Sequence, residues 1–427
     1  MDFVKKDIDE GITLISVNAN QFKTNEIAVS LAVPLKAETA SANALLINLL
    51  SRKSTEYPTL LSLNKKLAGL YGAVLAPTVS KIGECQVLKL GVTCLDDRFS
   101  LDGESISAEC VKLLMSLLFE PKLDENGDFF SEDIESEKRI LTEKLEAEEN
   151  EKRTYVLRQT EKLMFKDEPY AINRYGSRED IKALDTASVK NAYNNLLSQA
   201  KVMVTIIGSA DADAVSECVK HAFKNVNREY SPLPQAVFVP VSNEVQEHME
   251  RIDVKQGKLV LGFRVNLRPD DSLTPAMRSF CDVFGGGPYS KLFANVREKL
   301  SLCYYCSARY TRLKSMILVQ CGCNEENMDK AVNEILNQLK AIQQGDFEEE
   351  FNSSKISITD MILSVNDAPE ALENWYSNQI TDDVIKSPEM SAAENNGVTA
   401  QQIQSCAELL SLDTVYKLSS PKEAEQL

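Results

Sequence analysis

Apolar positions alternate with polar ones in several short runs and recur at helical spacing in others. GITLISV and EIAVSLAVPL have the two-residue period of strands, and ANALLINLLSR and TLLSLNKKLAGLYG have a helical period. VLAPTVSK and ECQVLKLGVTC predict two further strands. SAECVKLLMSLLF, one long helix from Ser131 to about Phe165, and ASVKNAYNNLLSQ follow; the strand KVMVTIIG and the helix DAVSECVKHAFKN end this half. SPLPQAVFVPVSN carries three prolines and no helical period, which predicts a linker. The order then recurs. GKLVLGFRV reads as a strand, SLTPAMRSFCDVF and SKLFANVREKL as helices, and LCYYCSARYT and KSMILVQCGC as paired strands. NMDKAVNEILNQLKAIQ opens a run of helices, and DTVYKLSS is a last strand.

The segments Asn64–Ala73 and Arg297–Cys306 align, pairing Leu67 with Leu300 and Tyr71 with Tyr304. Helix, turn and strand fall in the same order on each side, so the halves are expected to share one fold. Hairpin strands with helices grouped between them predict an α+β architecture of two similar domains, each a mainly antiparallel sheet covered by helices. The expected boundaries are 1–228, a linker over 229–245, and 246–427.

At 427 residues, 43% hydrophobic and 26% charged, the chain can bury more than one core. The net charge of −17 disfavours nucleic acid and anionic membrane, both of which call for clustered Lys and Arg. The N-terminus MDFVKKDIDEG lacks the apolar run of a signal peptide, and no stretch has the length of a transmembrane helix. Ten cysteines in such a chain are expected as reduced thiols, and the expected location is cytoplasmic.

Candidate chemistry centres on FGGGPYSKLFANVREKLSLCYY, Phe284–Tyr305. The run Gly285, Gly286, Gly287 lacks the ending of a phosphate loop and reads as a flexible connection between helices. Cys303, Cys306, Cys321 and Cys323 have spacings that invite a metal. If Cys303 and Cys306 both lie in a strand, however, they point to opposite faces, and buried packing cysteines are expected instead. The two histidines, His221 and His248, are 27 positions apart, so no helical zinc pair exists. Arg297 and Tyr304 could together grip a peptide carbonyl or a developing oxyanion. The competing reading is a surface arginine and a core tyrosine.

Gly286, Gly287, Ser290, Lys291, Leu292, Phe293, Arg297, Glu298, Lys299, Leu302 and Tyr304 resemble the second-domain signature of the insulinase/pitrilysin-like peptidases. This is the inverted-zinc-motif group that includes mitochondrial processing peptidase. Active members carry His-x-x-Glu-His on the first helix and a further Glu on a later one. By that resemblance the motif falls on Ala44-Leu45-Leu46-Ile47-Asn48, so both histidines and the catalytic Glu are absent. The later Glu falls at Lys144, or at Glu143 with a one-residue slip, and the helper acid is retained as Glu137. What remains on the first helix is an apolar face, Leu45, Leu46, Leu49 and Leu50.

The resemblance implies a non-catalytic, substrate-binding subunit of a heterodimeric zinc endopeptidase. In bacterial relatives of this kind one chain carries zinc and the other supplies an Arg/Tyr pair. Arg297 would hold the peptide backbone, and Tyr304 would stabilise the tetrahedral intermediate on the partner's zinc. The expected partners are a zinc-motif-bearing paralogue, or a second copy of this chain, and a peptide. No cofactor is expected, and no stoichiometric zinc in the chain purified alone. The alternative is a scaffold protein of the same fold with no part in proteolysis.

Overall fold

The computed structural model describes residues 2–239, 241 and 244–421. Pro240, Ser242 and Asn243 of the expected linker, and 422–427 of the expected second domain, lie outside the described residues. The chain folds into two compact units. The first comprises Met1–Leu145, Ile172–Gln235 and Ser364–Glu389; the second comprises Glu146–Ala171, Ala236–Leu363 and Met390–Leu427.

The first unit holds strands β1 (Phe3–Asp9), β2 (Ile12–Asn18), β3 (Thr24–Pro34), β4 (Val74–Ile82), β5 (Cys85–Leu95) and β6 (Lys201–Gly208). Their spatial order is β1-β2-β6-β3-β5-β4. The second unit holds β7 (Gln246–Arg251), β8 (Lys258–Val265), β9 (Tyr305–Thr311), β10 (Met316–Gly322) and β11 (Leu410–Ser419), ordered β7-β11-β8-β10-β9. In each unit one pair is parallel, β2 with β6 and β7 with β11, and the others are antiparallel. Without β1, the two orders superpose strand for strand in sequence position and direction. The α+β expectation of two similar, mainly antiparallel sheets is met.

Strand alternation explains why both sheets are covered on two faces. In the first unit Ile12, Leu14, Ile27, Val29, Leu31, Leu88 and Leu90 enter one core with helices Ala37–Leu50 and Ile106–Phe119. The intervening Ile15, Val17, Ala32, Val87, Met203 and Ile207 enter a second core with Leu372, Tyr376 and Ile380. The second unit repeats the arrangement. Leu259, Leu261, Phe263, Ile317 and Val319 face one helical layer, and Val260, Met316, Leu318 and Tyr416 face Val156, Met164 and Phe165.

The helices that cover these second faces come from the other half of the sequence. Helix Lys152–Met164 belongs to the second unit, and helix Pro369–Ser377 to the first. A division into 1–228 and 246–427 therefore describes the two sequence halves, not the two compact units.

The single long helix expected over Ser131 to about Phe165 is two helices, Ser131–Asn150 and Lys152–Met164. Glu151 breaks it: its backbone is extended (φ −77°, ψ 97°) and its side chain accepts from the Thr154 N–H at 2.7 Å, capping the second helix. The passage from one unit to the other, at Leu145/Glu146, falls in the last turns of the first of these helices.

Arg264 on β8 fixes the end of helix Lys152–Met164. It donates from Nε to Asp413 Oδ2 at 2.7 Å and from Nη2 to the carbonyl oxygen of Met164, with its guanidinium 5.1 Å from the Phe165 ring centroid. No described helix is long and apolar enough to cross a membrane.

Candidate functional site

Phe284–Tyr305 is built on the second unit. Helix Thr274–Gly285 does not loosen at the glycines. Gly286 keeps right-handed helical backbone (φ −82°, ψ −46°), and its N–H donates to Asp282 O. Gly286 and Gly287 open the turn that connects this helix to the next, as expected, and the three glycines also allow close approach. A Cβ on Gly285 would lie 2.5 Å from the Ala308 backbone nitrogen of β9. A Cβ on Gly286 would lie 2.0 Å from Asp282 Oδ1, and one on Gly287 would lie 2.7 Å from the Tyr289 ring. Because the obstacle at Gly285 is backbone, Gly285→Ala is expected to cost about 1–3 kcal/mol, read as a lower denaturant midpoint at unchanged slope.

Beyond the glycines, Ser290 is fully buried, and Lys291 is anchored by Glu350 at 3.1 Å and Asp346 at 3.2 Å. Leu292–Lys299 is a π-helix, closed by the Leu300 N–H donating to Asn295 O. Its buried residues Leu292 and Val296 point to the core and leave Arg297 outward. Such wide turns recur at functional sites.

The chain then turns sharply. Ser301 has φ +51°, and the Leu302 N–H donates to Val296 O. The Tyr304 N–H donates to Gly322 O at 2.8 Å, one residue before β9 begins. LCYYCSARYT is therefore a turn followed by a strand, not a strand throughout.

Arg297 and Tyr304 line one open recess of about 370 Å³ with Glu298, Ser301, Leu302, Cys303, Asn324 and Asn327. Tyr304 is 65% exposed, which excludes the core-tyrosine reading. The Arg297 side chain is 39% exposed, 3.6 Å from Glu298 Oε1 and stacked at 4.5 Å on the Phe293 ring centroid. No direct hydrogen bond joins Arg297 to Tyr304 among the described residues. The Tyr304 N–H is held by Gly322 O, and both side chains reach into the recess. β9, which starts beside Tyr304, is an end strand of its sheet.

The first helix has no such character. Ala44 and Ile47 are fully buried, and Leu45, Leu46, Leu49 and Leu50 are buried around them. Asn48 is half-buried and donates from its side-chain nitrogen to Ala44 O at 3.2 Å. Glu137 is buried and pairs with Arg52 Nη1 at 2.5 Å. Lys144 and Glu143 are both exposed on helix Ser131–Asn150, whose buried positions are Ile134, Glu137, Leu141 and Leu145. Neither choice of register puts a carboxylate beside the first helix. His221 is exposed on helix Ala212–Phe223, and His248 packs 5.0 Å from Tyr416 on β7.

Cys303, Cys306, Cys321 and Cys323 are all buried, as expected, but the argument from opposite strand faces fails. Cys306 and Cys321 are register partners across β9 and β10, and Cys303 belongs to the preceding turn. Strand alternation does not govern Cys303. The sulfurs of Cys303, Cys306 and Cys321 lie within 4.8 Å of one another, all buried. This is the one group of three or more potential metal ligands among the described residues.

Comparison with known proteins agrees with this geometry. The family described as "Peptidase M16 inactive domain" matches residues 183–356. A Bacillus subtilis (strain 168) protein described as "Probable inactive metalloprotease YmfF" is 28% identical over 416 residues, covering 97% of each chain. The crystal structure of a conserved protein from Enterococcus faecalis V583 superposes with a TM-score of 0.89 at 27% identity, over 99% of this chain and 100% of that one. The M16 inactive domain structure from Pseudomonas fluorescens has a TM-score of 0.77 at 12% identity over 99% of each chain, a likeness of fold. The protein is a two-sheet α+β chain with an apolar, buried first helix and an open recess lined by Arg297 and Tyr304. In sequence and fold it is similar to inactive members of the insulinase/pitrilysin-like, or M16, peptidases.

Proposed function

We propose that the chain is the substrate-binding, non-catalytic subunit of a heterodimeric zinc endopeptidase whose zinc is carried by a paralogous chain. The observation that carries this reading is the contrast between the first helix and the recess of the second unit. The first helix has exchanged every metal ligand for buried apolar or back-bonded side chains. The recess around Arg297 and Tyr304 keeps both polar heads exposed on a rigid base. A scaffold has no physical need for an exposed tyrosine beside an exposed arginine.

The reading has a simple stereochemistry. An extended peptide adds to the free edge of β9 through main-chain hydrogen bonds. Arg297 donates to its carbonyl oxygens, and the Tyr304 hydroxyl donates to the oxyanion that forms when the partner's zinc-bound water attacks. Lacking a nucleophile–base pair or a zinc site on its first helix, this chain contributes grip and charge stabilisation.

The test is reconstitution. The chain and a relative bearing His-x-x-Glu-His are expected to cleave peptides together, sensitive to chelator, and neither alone to reach that rate. A partner equally active without this chain would assign the chain to a scaffold role. Chelator-sensitive cleavage by the pure chain alone would end the proposal.

A further inference from the structure

We propose that Cys303, Cys306 and Cys321 form a three-thiolate site for a zinc-class divalent ion, at the base of the Arg297/Tyr304 recess. The argument is geometric and does not depend on whether Arg297 and Tyr304 grip peptide. Two of the sulfurs face each other across a β-ladder, and the third is delivered by a left-handed turn at Ser301. In a tetrahedral zinc thiolate with Zn–S of about 2.3 Å, sulfurs stand about 3.8 Å apart. Sulfurs already within 4.8 Å need to close by less than about 1 Å.

The surroundings suit an ion better than packing alone. Cys303 alone of the three lines the recess, so a fourth ligand, a water, has a path to the metal. Cys323, two residues beyond Cys321 on the same side of the strand, contacts the Cys321 sulfur. Binding releases three protons: three thiols and one divalent cation give a three-thiolate complex of net charge −1. The Arg297 guanidinium acts on Cys303 and offsets part of that charge.

Three thiolates quench the Lewis acidity of the ion. The site is a clamp on the turn Leu300–Tyr304, not a second hydrolytic centre. This revises the expectation that the purified chain holds no zinc.

Cobalt(II) titration of the reduced full-length chain tests this. Thiolate-to-cobalt charge-transfer absorption is expected to saturate at one ion per chain and to be bleached by added zinc. Cys303→Ala and Cys321→Ala remove the band, whereas Cys218→Ala, on helix Ala212–Phe223 of the other compact unit, leaves it. Cys303 stands outside the sheet, so Cys303→Ala keeps the fold, checked by circular dichroism, even where the Cys321 variant does not. A folded, reduced wild type that shows no charge-transfer band in excess cobalt overturns the proposal. So does a band that survives Cys303→Ala.

Discussion

Tyr304→Phe and Arg297→Ala are each expected to cost the reconstituted pair on the order of a hundredfold in turnover or more, the size of losing one oxyanion donor. The two losses differ in kind. The Tyr304 hydroxyl is worth most when the carbonyl oxygen becomes charged, so Tyr304→Phe lowers kcat with KM little changed. Arg297 holds the peptide in ground and transition states alike, so Arg297→Ala also raises KM. Both heads are exposed, and Arg297 interacts only with Glu298, the Phe293 ring and, through its charge, Cys303, so the melting temperature should move little. Steady-state kinetics of the pair beside thermal unfolding of each variant make the check. Unchanged cleavage in both variants would remove the roles assigned to these residues.

The second large effect is on stability. Asp413→Ala strands the Arg264 guanidinium, whose side chain is 9% exposed, with its carboxylate partner gone. Removing one member of a buried pair costs about 3–5 kcal/mol, since the remaining charge keeps its desolvation penalty without its compensation. For a unit of this size that lowers Tm by roughly 10 °C. Arg264 also donates to Met164 O, so the damage should spread to the C-terminal end of helix Lys152–Met164 and appear there as faster amide exchange. Arg264→Met combined with Asp413→Leu should cost less than Asp413→Ala alone, because no buried charge is then left unpaired. A double variant as unstable as Asp413→Ala would show that the ion pair is not the cause.

The recess and the vacated helix illustrate two kinds of sequence signal. By the resemblance the zinc motif falls on Ala44, Ile47 and Asn48, and that these residues cannot ligate zinc was legible, because ligation needs particular atoms, which they lack. That Lys144 and Glu143 both point to solvent was not legible, since a one-residue slip in an anchored alignment turns a helix by about 100°. Edge strand β1 was missed: its alternation, in FVKKDID, is carried mostly by charged residues on an exposed edge. The exposure of Tyr304 was also open, because a tyrosine beside an apolar run reads equally well as core.

By itself the sequence determined the hydrophobic periods of most strands and helices, the repetition of their order in two halves, and the absence of a helical zinc pair. These follow from local rules: side-chain period, turn chemistry and the atoms a ligand must have. Only the tertiary structure decided which helices cover which sheet, that Glu151 ends one helix and starts another, and that Cys303 meets Cys306 and Cys321. Those outcomes depend on residues far apart in the chain arriving at one place. The turn at Ser301 and the pairing of β9 with β10 bring the three sulfurs together, and neither can be read from a spacing alone.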